Sequence, residues 1–166
     1  MNEWPPKEIF RVRSKPRRLP REEYQRLLQP VFFSACTRQR EPVLLERDMA
    51  RVLRALLDGN ASRRGCALIA YAIMPDHLHV IACVALPGGD ALQFFTDFKR
   101  GAANAALHAG LGEIWQRGFW DRHTRNTRDL TRCVQYVMNN PVAEGLCERP
   151  EDWPHSEFRG YPRVPR

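Results

Sequence analysis

A chain of 166 residues suits a single domain and can bury an ordinary core without disulfides or metals to staple it. Its 43% hydrophobic and 27% charged residues are those of a globular protein, and its longest apolar runs are broken by Pro75 to His79, so none is long enough to span a bilayer. The net charge of +7 is concentrated: residues 1–40 hold ten Lys/Arg against four Glu, while the rest of the chain is nearly neutral. A basic arm on a near-neutral body points to a polyanionic partner, and nucleic acid is the commonest of these. The bland alternative is a solvated arm that only aids solubility. No apolar segment follows the first Lys and Arg residues, so no signal peptide is expected. Cysteines 36, 66, 83, 133 and 147 are odd in number and form no Cys-x-x-Cys pair, which favours reduced thiols in a cytosolic protein over disulfides or thiolate-held zinc.

Residues 1–30 mix Pro, Arg and Lys in the manner of an extended arm, with Arg17 and Arg18 among its cations. Val31 to Thr37 is rich in strand formers and predicts the first core strand. From Leu45 to Leu57 the residues Met49, Val52, Leu53, Leu56 and Leu57 recur at helical spacing, with Gly59-Asn60 as a stop. Two apolar runs follow, Cys66 to Ile73 and Val80 to Val84, joined by Met74-Pro75-Asp76-His77-Leu78-His79; they predict buried strands around a tight turn. Asp90 is placed to N-cap a helix running to about Ala109, which carries Lys99 and Arg100. Ile114 to Asn126 interleaves aromatics with arginines. There Trp120 can stack on bases while Arg117, Arg122 and Arg125 reach phosphates or base edges; the same pattern also suits a fourth strand with one buried face. Thr127 opens a last helix that ends at Asn139-Asn140-Pro141.

The order strand, helix, strand, strand, helix, strand, helix predicts an α+β fold. The expected form is a split β-α-β (ferredoxin-like or RRM-like) antiparallel sheet with helices on one face. Three parts are expected: a basic arm over 1–30, a main domain over 31–147 and a C-terminal tail over 148–166.

Side chains alternate along a strand, so His77 and His79 project together while Leu78 enters the core. Two imidazoles held this way can bind a divalent metal; the alternative is a pair of separately hydrogen-bonded histidines at a sheet edge. Tyr136 and Asn140, four apart, share one face of a helix. A phenol is a candidate nucleophile if a metal polarises its electrophile, and Asn140 can add an oxygen ligand; two nitrogens and an amide oxygen with open positions suit Mg²⁺ or Mn²⁺. The competing roles are a packed helix tyrosine for Tyr136 and an N-cap of a following turn for Asn140.

The stretch Met74-Pro75-Asp76-His77-Leu78-His79-Val80 resembles the His-hydrophobic-His motif of the single-tyrosine transposases. Trp115 to Asp121, Tyr136-Val137-Met138-Asn139-Asn140-Pro141-Val142, Gly145-Leu146 and Asp152-Trp153-Pro154-His155-Ser156 resemble, in that order, the REP-associated tyrosine transposases. The likeness runs from about residue 31 to 159. It implies a metal-dependent nuclease and strand transferase acting on single-stranded, palindromic hairpin DNA through a 5′-phosphotyrosine. Tyr136 would be the nucleophile, and His77 and His79 the metal ligands. Asn140 stands where relatives carry a polar third ligand, often glutamine. Segment 117–125 and the basic arm would grip DNA. A cytoplasmic, nucleoid-associated protein, monomeric or homodimeric, is expected. The alternative is a non-catalytic DNA-binding regulator that keeps the fold; a hydrolase of small phosphate esters would leave the basic arm without a role.

Overall fold

The computed structural model describes residues 18–162; Arg17 and the earlier part of the basic arm lie outside the described residues. Strand β1 (Val31–Cys36) leads through α1 (Met49–Arg63) to β2 (Cys66–Ile73). The turn at Met74 to Asp76 leads into β3 (His77–Val84), and α2 (Ala91–His108) connects to β4 (Trp120–His123). Helix α3 (Thr127–Ala143) and a short β5 (Ser156–Phe158) complete the chain. The sheet order is β4-β1-β3-β2-β5 with every neighbouring pair antiparallel. Two βαβ units are therefore interleaved, each enclosing a strand of the other, which is the α+β split arrangement expected from the sequence.

Helices α1 and α2 cover one face of the sheet. Val31, Phe33 and Ala35 of β1 and Leu78, Val80 and Ala82 of β3 meet Leu53 and Leu57 of α1 and Phe94, Phe95 and Phe98 of α2. The Phe33 and Phe95 rings stack at 4.6 Å and 8°. Helix α3 departs from the expectation of helices on one face. It packs on the other side, where Phe32, Ala70, Ala72, Ile81 and Cys83 meet Cys133, Tyr136 and Val137. The reason lies in β1 and β3, which are apolar at nearly every position. Such strands must be covered on both faces, and the two crossover helices cover only one.

Several boundaries differ from expectation. Helix α1 runs past Gly59-Asn60 to Arg63, because a lone glycine is tolerated in a helix and the Asn60 amide donates back to Leu56 O at 2.8 Å. The stop is Gly65, whose φ of 62° is the left-handed C-cap conformation. Strand β4 is four residues long; the preceding segment pairs with the end of β1 through a bridge between Thr37 and Trp115. Helix α3 runs past Asn140-Pro141, since a proline near a helix end forfeits a single backbone bond. The segment expected as a tail supplies β5, paired to β2, with Trp153 Nε1 donating to Ile73 O at 3.0 Å. The end of the arm also packs on the body: Tyr24 is buried and Leu27 bridges Val84. Among the described residues no helix is long and apolar enough to cross a membrane.

Truncating Phe33 removes a fully buried ring from the centre of the α1/α2 core. Phe33→Ala is expected to cost about 3–5 kcal/mol of unfolding free energy, measured by urea denaturation. A loss below about 1 kcal/mol would contradict the packing described.

Candidate active site

Strand β3 and helix α3 build the site between them. His77 and His79 alternate with the core residues Leu78 and Val80 and so face α3, where they are 4% and 2% exposed. Their rings lie 4.9 Å apart between centroids. Asn140, one turn after Tyr136, places Oδ1 3.0 Å from His77 Nε2, and its Nδ2 donates to the Tyr136 hydroxyl at 3.3 Å. Tyr136 Oη lies 3.5 Å from His79 Nε2, with the two rings edge-on at 5.2 Å. The structure thus brings together all four residues singled out in the sequence. Asn140 is an interior helix residue aimed at His77, not the cap of a following turn.

Two further residues belong to the cluster, and sequence reading passed over both. Asp76 Oδ1 lies 2.6 Å from His77 Nδ1, and its Oδ2 meets Arg40 Nε at 2.8 Å. Glu144, at the C-cap of α3, brings Oε1 to 3.6 Å from His77 Nε2. Asp76 stands beside the histidine in sequence, and the spacing 136, 140, 144 repeats one helical step, so both carried a readable signal.

The donor set fits a divalent cation. Asp76, His77 and Glu144 each offer a ligand atom within 4.8 Å of the others. In the tautomer that donates Nδ1–H to Asp76, the His77 Nε2 lone pair faces Asn140 Oδ1 at 3.0 Å and Glu144 Oε1 at 3.6 Å. Three electron-rich atoms then converge on one space, an arrangement that suits a cation. Imidazole nitrogens with amide and carboxylate oxygens suit Mn²⁺ or Mg²⁺. Burial holds His79 well below the usual histidine range, with help from His77 and Arg40, so its ring is the neutral form that ligates metals. Burial also pushes the Tyr136 phenol above its ordinary value, and the Glu144 charge adds to this, so the phenol is protonated at rest.

The residues expected to touch DNA fall into two groups. Arg117 and Arg125 are exposed. Arg117 lines a groove of about 390 Å³ with Thr37, Arg38, Gln39, Arg40, Glu113, Trp115 and Gln116. The others have internal work. Arg122 clamps β4 to α3 through a two-point pair with Asp129 at 2.8 and 2.9 Å. Trp120 packs edge-on to Phe32 at 5.6 Å in the core under α3. Arg100 pairs with Asp97, which also accepts from Arg64 Nε at 2.8 Å. Arg18 pairs with Asp121 at 2.9 Å and lies 3.9 Å over the Phe119 ring. Lys99 donates to the carbonyls of Gln116 and Gly118, pinning the loop before β4.

The family model described as "Transposase IS200 like" matches residues 31–140. The REP-associated tyrosine transposase of Escherichia coli K12 is 34% identical over 128 residues, covering 76% of this chain and 74% of that protein. A putative REP-associated tyrosine transposase of Haemophilus influenzae is 31% identical over 104 residues, covering 54% of this chain and 57% of the relative. The chain therefore belongs to the IS200-like transposase family, in its REP-associated tyrosine transposase branch. A solved structure of a REP-associated tyrosine transposase bound to a REP hairpin superposes with a TM-score of 0.71 at 27% identity, over 92% of this chain and 90% of that one.

Lys99 offers a test of how the loop before β4 is held. Its ammonium is pushed down to about 8, first by burial and then by Arg18. Below that pH the amine is protonated in folded and unfolded chains alike, and the full cost of burying the charge is present. Between about 8 and the unfolded value of roughly 10.4 the folded chain binds fewer protons, so stability rises with pH. The stability difference between wild type and Lys99→Met, measured by urea unfolding, is expected to move in favour of wild type from about pH 7.5 to about pH 9.5. A difference independent of pH would show that this amine is not buried as described.

Proposed function

We propose that this protein is a metal-dependent nuclease and strand transferase for single-stranded DNA that folds into palindromic hairpins. The observation that carries the reading is the convergence of the Tyr136 phenol with His77, His79 and Asn140. Such a cluster supplies a nucleophile beside a hard-cation site in a transposase fold. The hairpin bound by the superposing relative supports DNA of the REP type as substrate.

In the proposed reaction His77, His79 and Asn140 would hold the cation, with Asp76 fixing the His77 tautomer and Glu144 adding negative charge. A divalent ion held there would supply Lewis-acid polarisation of the scissile phosphate. Tyr136 Oη attacks phosphorus, forming a 5′-phosphotyrosine as the bond to the 3′ oxygen breaks. The phenol gives up its proton and the departing 3′ oxygen gains one. One ester bond replaces another, so a second 3′ hydroxyl can reverse the step and join strands without ATP. All these side chains come from one chain, so this reading needs no side chain from a second copy. A DNA substrate of this kind would place the protein at the nucleoid.

Two measurements test the reading. Tyr136→Phe is expected to abolish a denaturation-resistant adduct with hairpin DNA while retaining hairpin binding; adduct formation by that variant would remove Tyr136 from the mechanism. If wild type binds hairpins tightly but yields no adduct with Mn²⁺ or Mg²⁺, the protein is a binder and not a nuclease. Glu144→Gln is expected to weaken Mn²⁺ binding by about tenfold, followed by electron paramagnetic resonance of free Mn²⁺, with hairpin affinity unchanged. Unaltered Mn²⁺ affinity would show that the Glu144 charge does not act on the cation.

A further inference from the structure

Helix α3 carries a ridge that runs beyond the reacting groups. Arg128, Arg132, Tyr136 and Asn140 follow one another at steps of four, each about 6 Å further along the helix and turned by about 40°. Burial changes along this ridge. Arg128 and Arg132 are exposed, whereas Tyr136 and Asn140 are each 6% exposed. Arg125 stands exposed just ahead of the helix.

These three arginines differ from most others in the molecule. Arg40, Arg64, Arg100, Arg122, Arg149 and Arg159 all sit in ion pairs. Among the described residues no carboxylate lies within ion-pair distance of Arg125, Arg128 or Arg132. Segment 117–143 contains only two acidic residues, and both are turned inward. Asp121 accepts from Tyr24 and Arg18. Asp129 is held by Arg122 and by the Arg125 N–H at 2.8 Å. The outer surface of this segment therefore carries an excess of cationic side chains.

Folding does not account for that arrangement. Asn126 already caps the helix by accepting from Asp129 N at 2.9 Å. Cations beside a helix N-terminus oppose the macrodipole and lower stability, whereas acids there would raise it. Arg128 in the first turn opposes the dipole and Arg132 repels Arg128 from one step further on, so a row of like charges that costs some stability and ends at the candidate nucleophile suits a negatively charged ligand.

We propose that Arg128 and Arg132, with Arg125 ahead of them, form a phosphate track that leads the single-stranded segment adjoining the scissile phosphate onto Tyr136. The proposal rests on the nuclease reading above for the identity of the strand. A step of one helical turn matches the order of spacing between successive phosphates of an extended strand. The track binds backbone rather than bases, so it contributes affinity and register but not sequence choice.

The test compares two DNAs, a REP-type hairpin with a single-stranded flank and the same hairpin without it. Binding is measured by fluorescence anisotropy across a salt series in the Tyr136→Phe background. The double variant Arg128→Ala/Arg132→Ala is expected to weaken binding of the flanked hairpin on the order of tenfold and to flatten its log K against log salt slope by about 1.4, with the bare hairpin unaffected. In the chain with Tyr136 intact, the DNA concentration for half-maximal cleavage of the flanked hairpin should rise. Thermal stability of the double variant should be equal or higher, since like-signed charge leaves the helix N-terminus. Equal weakening for both DNAs, or an unchanged slope, would overturn the track. A flank-specific loss without any phosphotyrosine adduct in wild type would sink the nuclease reading and leave the track standing.

Discussion

The docking of α3 across the face of the sheet left open by α1 and α2 is the constraint on which the rest depends. It satisfies the second apolar face of β1 and β3, and it is the only event that brings Tyr136 and Asn140 to His77 and His79. Phe32, Ile81 and Cys83 from the sheet and Cys133 and Val137 from the helix form the contact. The Arg122–Asp129 pair ties the helix start to β4, and Asn140 ties its last turns to His77. A helix anchored at both ends holds a side chain between them far more closely than a loop could, which is what a reaction needing atomic register demands.

Around that contact the protein stores local strain. Gln39 and Arg40 adopt left-handed backbone conformations with φ of 53° and 59°, unusual for residues other than glycine. Such conformations persist only where surrounding bonds over-determine them. Here the Thr37 N–H donates to Asp76 O at 2.8 Å, and the Arg40 side chain reaches both Asp76 and Cys36 Sγ, the latter at 3.0 Å. The strained turn thus presses a guanidinium onto the carboxylate that orients His77. Asp76 acts on the site through His77, and Arg40 acts through Asp76.

Charge is partitioned by the same logic. Lys99, Arg100, Arg122 and Arg18 are cations whose donors are used within the fold, on the loop before β4, on Asp97, on Asp129 and on Asp121. Arg117 and Arg125 remain exposed, as do Arg128 and Arg132. Sequence spacing cannot separate these groups, because an arginine three residues from an aspartate in the chain can be turned toward it or away from it. Arg122 and Arg125 lie in one short stretch and end in opposite roles because β4 points one inward and the following turn points the other out.

The chain's own pattern determined a good deal. Alternation along 77–80 set the two histidines on one side and Leu78 and Val80 on the other, and this follows from strand geometry alone. The interval between Tyr136 and Asn140 likewise set them on one helix face. The near-continuous apolar runs in β1 and β3 carried the information that both sheet faces are covered, although the expectation of helices on one face did not use it. What no local pattern contains is the pairing of distant elements. The attachment of β5 to β2, the burial of Tyr24 against Asp121, the reach of Glu144 to His77 and the meeting of the phenol with the imidazoles join residues far apart in the chain. Each depends on which sheet face α3 finds uncovered, and that is settled only once every strand is in place.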